Sequence, residues 1–254
     1  MAIGTLNPTL LDVAQRVKGD GHLDKIVEMM NQTNEVLTDM TMLEGNLATG
    51  NMTTIRTGLP KSTWRLFNSG VNQDKSKTAQ ITDACGMLES YAVVDRKLVD
   101  ISNNAAEFRL QEDRAFLESM NQEMASTLFY GSKSEPEKFI GLSPRYNDKT
   151  ARSAENLIDA GGTGNQLTSI WLCVWGPNTM YGFYPKGGKA GFTMENDGVV
   201  DALDGEGKKY KAYQTHYSWD LGLTVRDWRY AVRIANIDVS KLTKDASAGA
   251  DLID

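Results

Sequence analysis

The sequence is poor in the side chains on which most catalytic and metal sites depend. Its 254 residues include two cysteines and two histidines. Cys85 and Cys173 are too few for a disulfide scaffold and too far apart to read as a ligand pair, so both are expected to be reduced and buried. His22 falls in an N-terminal stretch and His216 between Thr215 and Tyr217 in a strand-like run. Both settings suit a structural histidine better than a catalytic base. There is no H-E-x-x-H, C-x-x-C or clustered His–carboxylate spacing, which leaves a zinc or non-haem iron centre without ligands. There is no G-x-S-x-G elbow to present a nucleophile.

The glycine-rich loops fail as phosphate cradles for positional reasons. "GGTG", Gly161 to Gly164, precedes a strand-like run instead of following one and opening a helix. In "YPKGGKAGF", Ala190 stands where a Walker loop needs a hydroxyl for magnesium, and Gly182 is one position out of register. Asp201, Asp204 and Glu206 lack the frame of a calcium loop, and "DGEG" reads as a hairpin turn. The resulting expectation is of no catalytic, cofactor-binding or metal-binding residue, and of no enzyme.

Long apolar runs are missing too. No window approaches twenty apolar residues, and "MAIGTLNPTLLDVAQRVKGDGHLDK" has neither a basic n-region nor an apolar h-region, so neither a membrane span nor a secretion signal is expected. A net charge of -6 and a pI near 5.1 work against a dedicated nucleic-acid binder, though a local basic patch stays open. With 41% hydrophobic and 24% charged residues, what remains is a soluble globular chain long enough for one large domain or two ordinary ones.

Residues 1 to about 48 read as short helical pieces, with Leu11, Val13, Val17, Ile26, Val27, Met30, Val36 and Leu37 loosely spaced and glycines between them. This is an arm without a core of its own. From Thr53 to about Ser102 the composition shifts to Thr, Val and Ile, with strands predicted at Thr53 to Thr57, Thr63 to Phe67, Thr78 to Asp83 and Met87 to Asp95. That excursion has few large apolar residues, and an isolated two-stranded ribbon is marginal in water, so it needs something to lie against.

The clearest element runs from Asn104 to Gly131. Asn104 with Glu107 resembles a capping box, Gly131 suits the stop, and Leu110, Leu117, Met120, Met124 and Leu128 keep a helical spacing. At 1.5 Å per residue it is about 40 Å long, with Leu117 and Met124 as candidate core. Strands follow at "SIWLCVWG", "MYGFYP", "KKYKAYQTHYSW" and "LTVRDWRYAVRIANIDVS". In the last run the apolar alternation changes phase twice, predicting bulges or bends near Asp227 and Asn236. Trp228, Tyr230, Val232 and Ile234 are expected on one face as core against the long helix, which puts Trp228→Ala at about 3–5 kcal/mol if the ring is buried. Arg226, Arg229 and Arg233 are candidates for intersubunit ion pairs or contact with DNA.

Several blocks in order, among them "TTIRTGLPKSTWRLFNSGV", "SKTAQITDACGMLESYAVVDRKLVD", "FLESMNQEMASTLFYGS", "FIGLSPRY" and "SIWLCVWGPNTMYGFYPKGGKAG", resemble the major capsid proteins of tailed bacteriophages. The resemblance implies an α+β shell fold of the Hong Kong 97 phage type: an N-terminal arm (1–48), an extended β-hairpin loop (49–103), a peripheral domain with a spine helix (104–150), then peripheral strands and an axial domain (151–254). Such chains usually continue past a point like "DASAGADLID", so an incomplete axial domain is expected. The resemblance also implies a virion subunit, assembled in the host cytoplasm into hexamers and pentamers of itself. Scaffolding, portal and decoration proteins and weakly held double-stranded DNA would be its partners, with no membrane and no cofactor. A DNA-binding module and an unrecognised enzyme stand as alternatives.

Overall fold

Helix-forming and β-forming stretches alternate along the chain, and a computed structural model describes residues 34–101 and 105–244. The helical pieces expected before residue 34, and the cap expected at Asn104, lie outside the described residues. In chain order the elements are α1 (Glu35–Asp39), β1 (Met42–Glu44), β2 (Gly50–Gly58), β3 (Lys77–Ala84), β4 (Gly86–Asp95), α2 (Arg96–Ile101) and α3 (Ala105–Tyr130). Then come α4 (Leu142–Arg145), a 3-10 turn (Arg152–Asn156), β5 (Leu157–Asp159), β6 (Leu167–Cys173), β7 (Met180–Tyr184) and β8 (Phe192–Leu203). After β9 (Lys209–Val225) a second 3-10 turn (Trp228–Tyr230) leads to β10 (Ala231–Asp238) and α5 (Val239–Lys244).

The chain divides into two compact units, each drawn from stretches distant in sequence, and long α3 and β9 are among the elements that the divisions cut. The first comprises described residues 34–38, Met87–Ser126 and Gly191–Asp220. Here β8 and β9 form an antiparallel hairpin from Phe192↔Trp219 to Leu203↔Lys209, with a register shift between Asn196 and Gly198. The "DGEG" turn closes it: the Asp204 carboxylate accepts from the backbone N–H groups of Glu206 and Lys208, and Gly207 takes φ +80, where a side chain is strained. Strand β4 is hydrogen-bonded to β9.

Two apolar clusters form the interior of this unit. Val94, Leu98, Val99 and Phe108 make one, with Tyr213 against it; Ala92, Met120 and Tyr217 make the other, with Leu88, Phe116, Leu117 and Trp219 around them. Met124 is buried, and Leu117 is half-buried against the second cluster. Leu110, expected on the inner stripe of α3, is exposed instead. Phe108 takes the inward position, because its ring fills the space that α2 and β4 frame with Leu98, Val99 and Val94. Arg109 lies over the Tyr213 ring at 4.8 Å and donates to Thr215 and Asn196.

The second unit comprises Asp39–Gly86, Thr127–Ala190 and described residues 221–244. Strand β7 pairs antiparallel with the end of β9, from Met180↔Val225 to Phe183↔Gly222, and in parallel with β1. Gly222 is a packing requirement here, since a Cβ would meet Phe183 Cζ at 2.3 Å. Gly131, just past the end of α3, is tightly placed too: a Cβ there would lie 2.2 Å from the Phe139 carbonyl oxygen. A small sheet places β10 between β5, parallel, and β6, antiparallel. Strands β2 and β3 form a separate two-stranded ribbon.

The expected strand at Thr63 to Phe67 is absent; residues 59–76 form no strand and are exposed. Strands β1 and β8 were not anticipated. In β8, "FTMENDGVVDAL", charged residues and a mid-strand glycine hide the alternation that marks strands. No described helix is long and apolar enough to cross a membrane.

In the first unit, Asp113 on α3 approaches the buried Tyr217 hydroxyl, which burial and then the Asp113 charge push up to about 12. Burial also raises the Asp113 carboxyl, outweighing the Tyr217 contact and Arg109, which act to lower it. A carboxyl raised on folding costs nothing while protonated in both states. It costs stability as pH climbs from the ordinary carboxyl range through the raised value. In thermal melts from pH 3 to pH 7, Asp113→Asn is therefore expected to gain on the wild type as pH rises.

Candidate assembly surface

The ribbon is buried only at its root. Along β2 and β3 the pairs run from Gly50↔Ala84 to Arg56↔Thr78 and then slip to Gly58↔Lys77. Asn51, Thr53 and Asp83 at the inner end are buried, whereas side chains beyond Ile81 and Ile55 are exposed. The reason lies in composition: the outer half of the ribbon is Thr, Gln, Ala, Lys and Arg, with no apolar pair to fold over.

Polar contacts with large sequence separation hold the root. Arg145, from the single turn α4, donates to Asp83 Oδ1 at 2.8 Å and to the carbonyls of Leu223 and Ile140 at 3.0 and 3.2 Å. Asp83 is 5% exposed, so this is a charge pair largely removed from water. The Asn51 amide donates to the Tyr181 hydroxyl at 2.9 Å and to Thr224 Oγ1 at 3.0 Å. Asn46 closes a reciprocal pair with the Met52 backbone, and Arg152 donates to the Thr57 carbonyl at 2.7 Å.

Beyond this root the tip carries Leu59, Trp64, Leu66, Phe67 and Val71 in the open. Trp64 and Phe67 are 104% and 97% exposed, which means that their rings touch almost nothing in their own chain. The tip has its own local order: a turn from Leu66 to Ser69 with Asn68 at φ 63, and an Asp74 carboxylate that accepts from the Lys61 and Lys75 backbone N–H groups. An apolar cluster so displayed is uncommon on a monomer and marks a contact surface.

The stretch from Leu223 onward departs from expectation. Asp227 accepts from the Arg229 N–H and starts a 3-10 turn at Trp228–Tyr230, so the first phase change is a break between β9 and β10. Trp228, Tyr230, Val232 and Ile234 do not share a strand face as core against α3. Trp228 is half-buried, Tyr230 is 42% exposed, and both belong to the turn. The buried side of β10 is Ala231, Ala235 and Ile237. Val232 and Ile234 face the other way, paired with Leu172, Ile170 and Ile158, which are about half exposed or more. The inversion follows from size: two alanines and a flat guanidinium fit the inner side, where Trp171, Tyr146 and Phe129 leave little depth. The second phase change falls where expected, with Asn236 at φ 60 and a register shift between Ile234 and Ile237.

The three arginines occupy different settings. Arg233 points inward, its guanidinium over the Trp171 ring at 5.3 Å, donating to the Tyr146 carbonyl at 2.9 Å and to Ser169 Oγ at 3.2 Å; burial lowers its pKa. Arg229 is exposed and paired with Asp227 in its own chain at 2.6 Å. Arg226 is exposed and donates to the Pro177 carbonyl. Cys173 is half-buried, and burial pushes its thiol up to about 11, which leaves little thiolate at neutral pH.

The long helix, the extended ribbon and the mixed sheets make an α+β subunit. The encapsulin of a holo-SrpI complex from Synechococcus elongatus shares the fold at 11% identity and TM-score 0.53, over 92% of this chain and 98% of that one. The capsid of a native GTA particle does so at 12% identity and TM-score 0.55, over 92% and 100%. A chain of bacteriophage Epsilon15 is much nearer, at 38% identity and TM-score 0.75, over 97% of this chain and 75% of that one. The family model of the major capsid protein GP7 matches residues 18–254. No curated protein matches. The chain belongs to the major capsid protein GP7 family, with the Hong Kong 97-type shell fold of tailed phages. It is a structural, shell-forming subunit of the virion that self-assembles with other copies.

Sequence reasoning missed Asp83 and Arg145, which no local pattern links across 62 positions. Removing one partner of a buried pair leaves the other charge unpaired, so Asp83→Ala is expected to cost about 3–5 kcal/mol in denaturant unfolding, with Asp83→Leu/Arg145→Met recovering most of it. Trp228→Ala, with the ring only half-buried, is expected to cost about 1–2 kcal/mol in the same measurement, below the range for a buried tryptophan.

Proposed function

We propose that copies of this chain close into an icosahedral shell of hexamers and pentamers around a packaged double-stranded DNA genome. Assembly takes place in the host cytoplasm, with scaffolding, portal and decoration proteins as further partners and DNA held by weak, non-specific contact. In this reading residues 1–48 are the arm, 49–103 the extended loop, 104–150 the peripheral domain with α3 as its spine, and 151–254 the peripheral strands and axial domain. The subunit acts through shape and contact, with no catalytic step.

One observation carries the proposal: an apolar tip stands at the end of a ribbon whose root is fixed by buried polar contacts. Trp64, Leu66 and Phe67 gain nothing from their own chain, and a repeated head-to-tail contact supplies each tip with a neighbour. Many modest contacts then add up without any single tight interface. Arg226, exposed and unpaired with any carboxylate among the described residues, is the best placed of the three arginines for an intersubunit or DNA-facing role.

In negative-stain microscopy and sedimentation the purified chain is expected to form uniform shells, tubes or capsomers. Trp64→Ala/Phe67→Ala should keep the wild-type melting curve yet remain as small species. A compact wild-type monomer with catalytic turnover, or small particles that bind DNA in a salt-sensitive way, would count against the reading.

A further inference from the structure

Strand β8 carries one residue too many for its partner. Its register with β9 shifts between Asn196↔Thr215 and Gly198↔Gln214, so Asp197 is a bulge residue without a counterpart, and its side chain is exposed. The next residue is Gly198, at φ +72, where a side chain is strained. A Cβ on Gly198 would meet nothing within 4 Å, so the space beside this peptide is open.

Two groups of the Asp197–Gly198 step can react with each other, and a neighbour holds each of them. Gln214 Nε2 donates to Asp197 Oδ2 at 2.7 Å, and the Gly198 N–H donates to Asn196 Oδ1 at 3.0 Å. The first contact draws electron density from Cγ and places a donor at the oxygen that turns negative when a nucleophile adds there. The second gives the nitrogen's proton an acceptor on the same strand. Asp204–Gly205, the other Asp-Gly step among the described residues, is arranged differently. The backbone N–H groups of Lys208 and then Glu206 hold the Asp204 carboxyl below the usual carboxylate range, in the charged form that resists addition.

We propose that Asp197–Gly198 is a self-modification site at which the chain isomerises to isoaspartate. The Gly198 nitrogen adds to the protonated Asp197 carboxyl and its N–H proton passes to solvent. The N–Cγ bond forms, the Cγ–OH bond breaks, and one water leaves. The resulting succinimide takes up one water: opening at Cγ restores aspartate, and opening at the former backbone carbonyl leaves the main chain running through Cβ and Cγ. The exchange of water balances, and no oxidant or cofactor enters. The isomer lengthens β8 by one carbon at its bulge, so the pairs beyond, Val199↔Tyr213 to Leu203↔Lys209, shift against β9. Tyr213 packs on the Val94–Phe108 cluster, which carries the change to the apolar interior.

The test is to age the full chain in mildly acidic buffer made with heavy-oxygen water and then digest it with trypsin. Heavy oxygen, and methyl label from an isoaspartate methyltransferase, are expected at Asp197, with fragment ions separating it from Asp204 in the peptide 190–208; Asp20–Gly21 falls in a different peptide. Asp197→Glu should abolish the signal while keeping the charge, because closure would then need a larger ring. Gln214→Ala and Asn196→Ala should each slow uptake several-fold with wild-type melting curves, and in urea Asp197 and Asp204 should react alike. Faster uptake at Asp204 than at Asp197 in the folded chain, no uptake at Asp197, or an unchanged or faster rate in Gln214→Ala overturns the proposal.

Discussion

The structure depends on one constraint: a two-stranded ribbon cannot bury its own faces, so its direction must be set from its root. Arg145 does this by joining three chain segments through one guanidinium, reaching the Asp83 carboxylate on β3, the Leu223 carbonyl on β9 and the Ile140 carbonyl ahead of α4. Lysine has three donors, but they turn on a compact ammonium and lack the planar fork that holds three such partners in a fixed geometry. Asn51 adds a neutral bridge from β2 to Tyr181 and Thr224. Side chains beyond this anchor are released to the surface, so apolar residues at the tip do not collapse onto the root.

The first unit solves a different problem. Helix α3 and strand β9 are long and need continuous covering, which Phe108, Phe116, Met120 and Tyr217 supply along the way. The cost is a carboxylate, Asp113, carried close to a buried hydroxyl. The two units differ in form: one holds most of the long helix, while the other presents the ribbon and an apolar sheet face.

Legibility in the sequence tracked how local each determinant was. Helix α3 could be read to within a residue at the end where it is described, because its periodicity and its terminal glycine are adjacent in sequence. The ribbon strands were legible from composition, and the bend at Asn236 from the phase of the apolar alternation. The orientation of β10 was not. Alternation says which residues share a face but not which face points inward, and here Ala231 and Ala235 are inside because aromatic rings already occupy the depth. The Asp83–Arg145 pair joins positions with no shared pattern, and β8 is disguised by its charges, so neither shows in the sequence.

A two-stranded ribbon is all edge, and each of its outer borders offers unpaired backbone groups to any passing extended chain. The slip of register between Arg56 and Gly58, opposite Lys77, twists the border and places cations beside it. Fibril-like stacking of ribbon on ribbon is thereby discouraged.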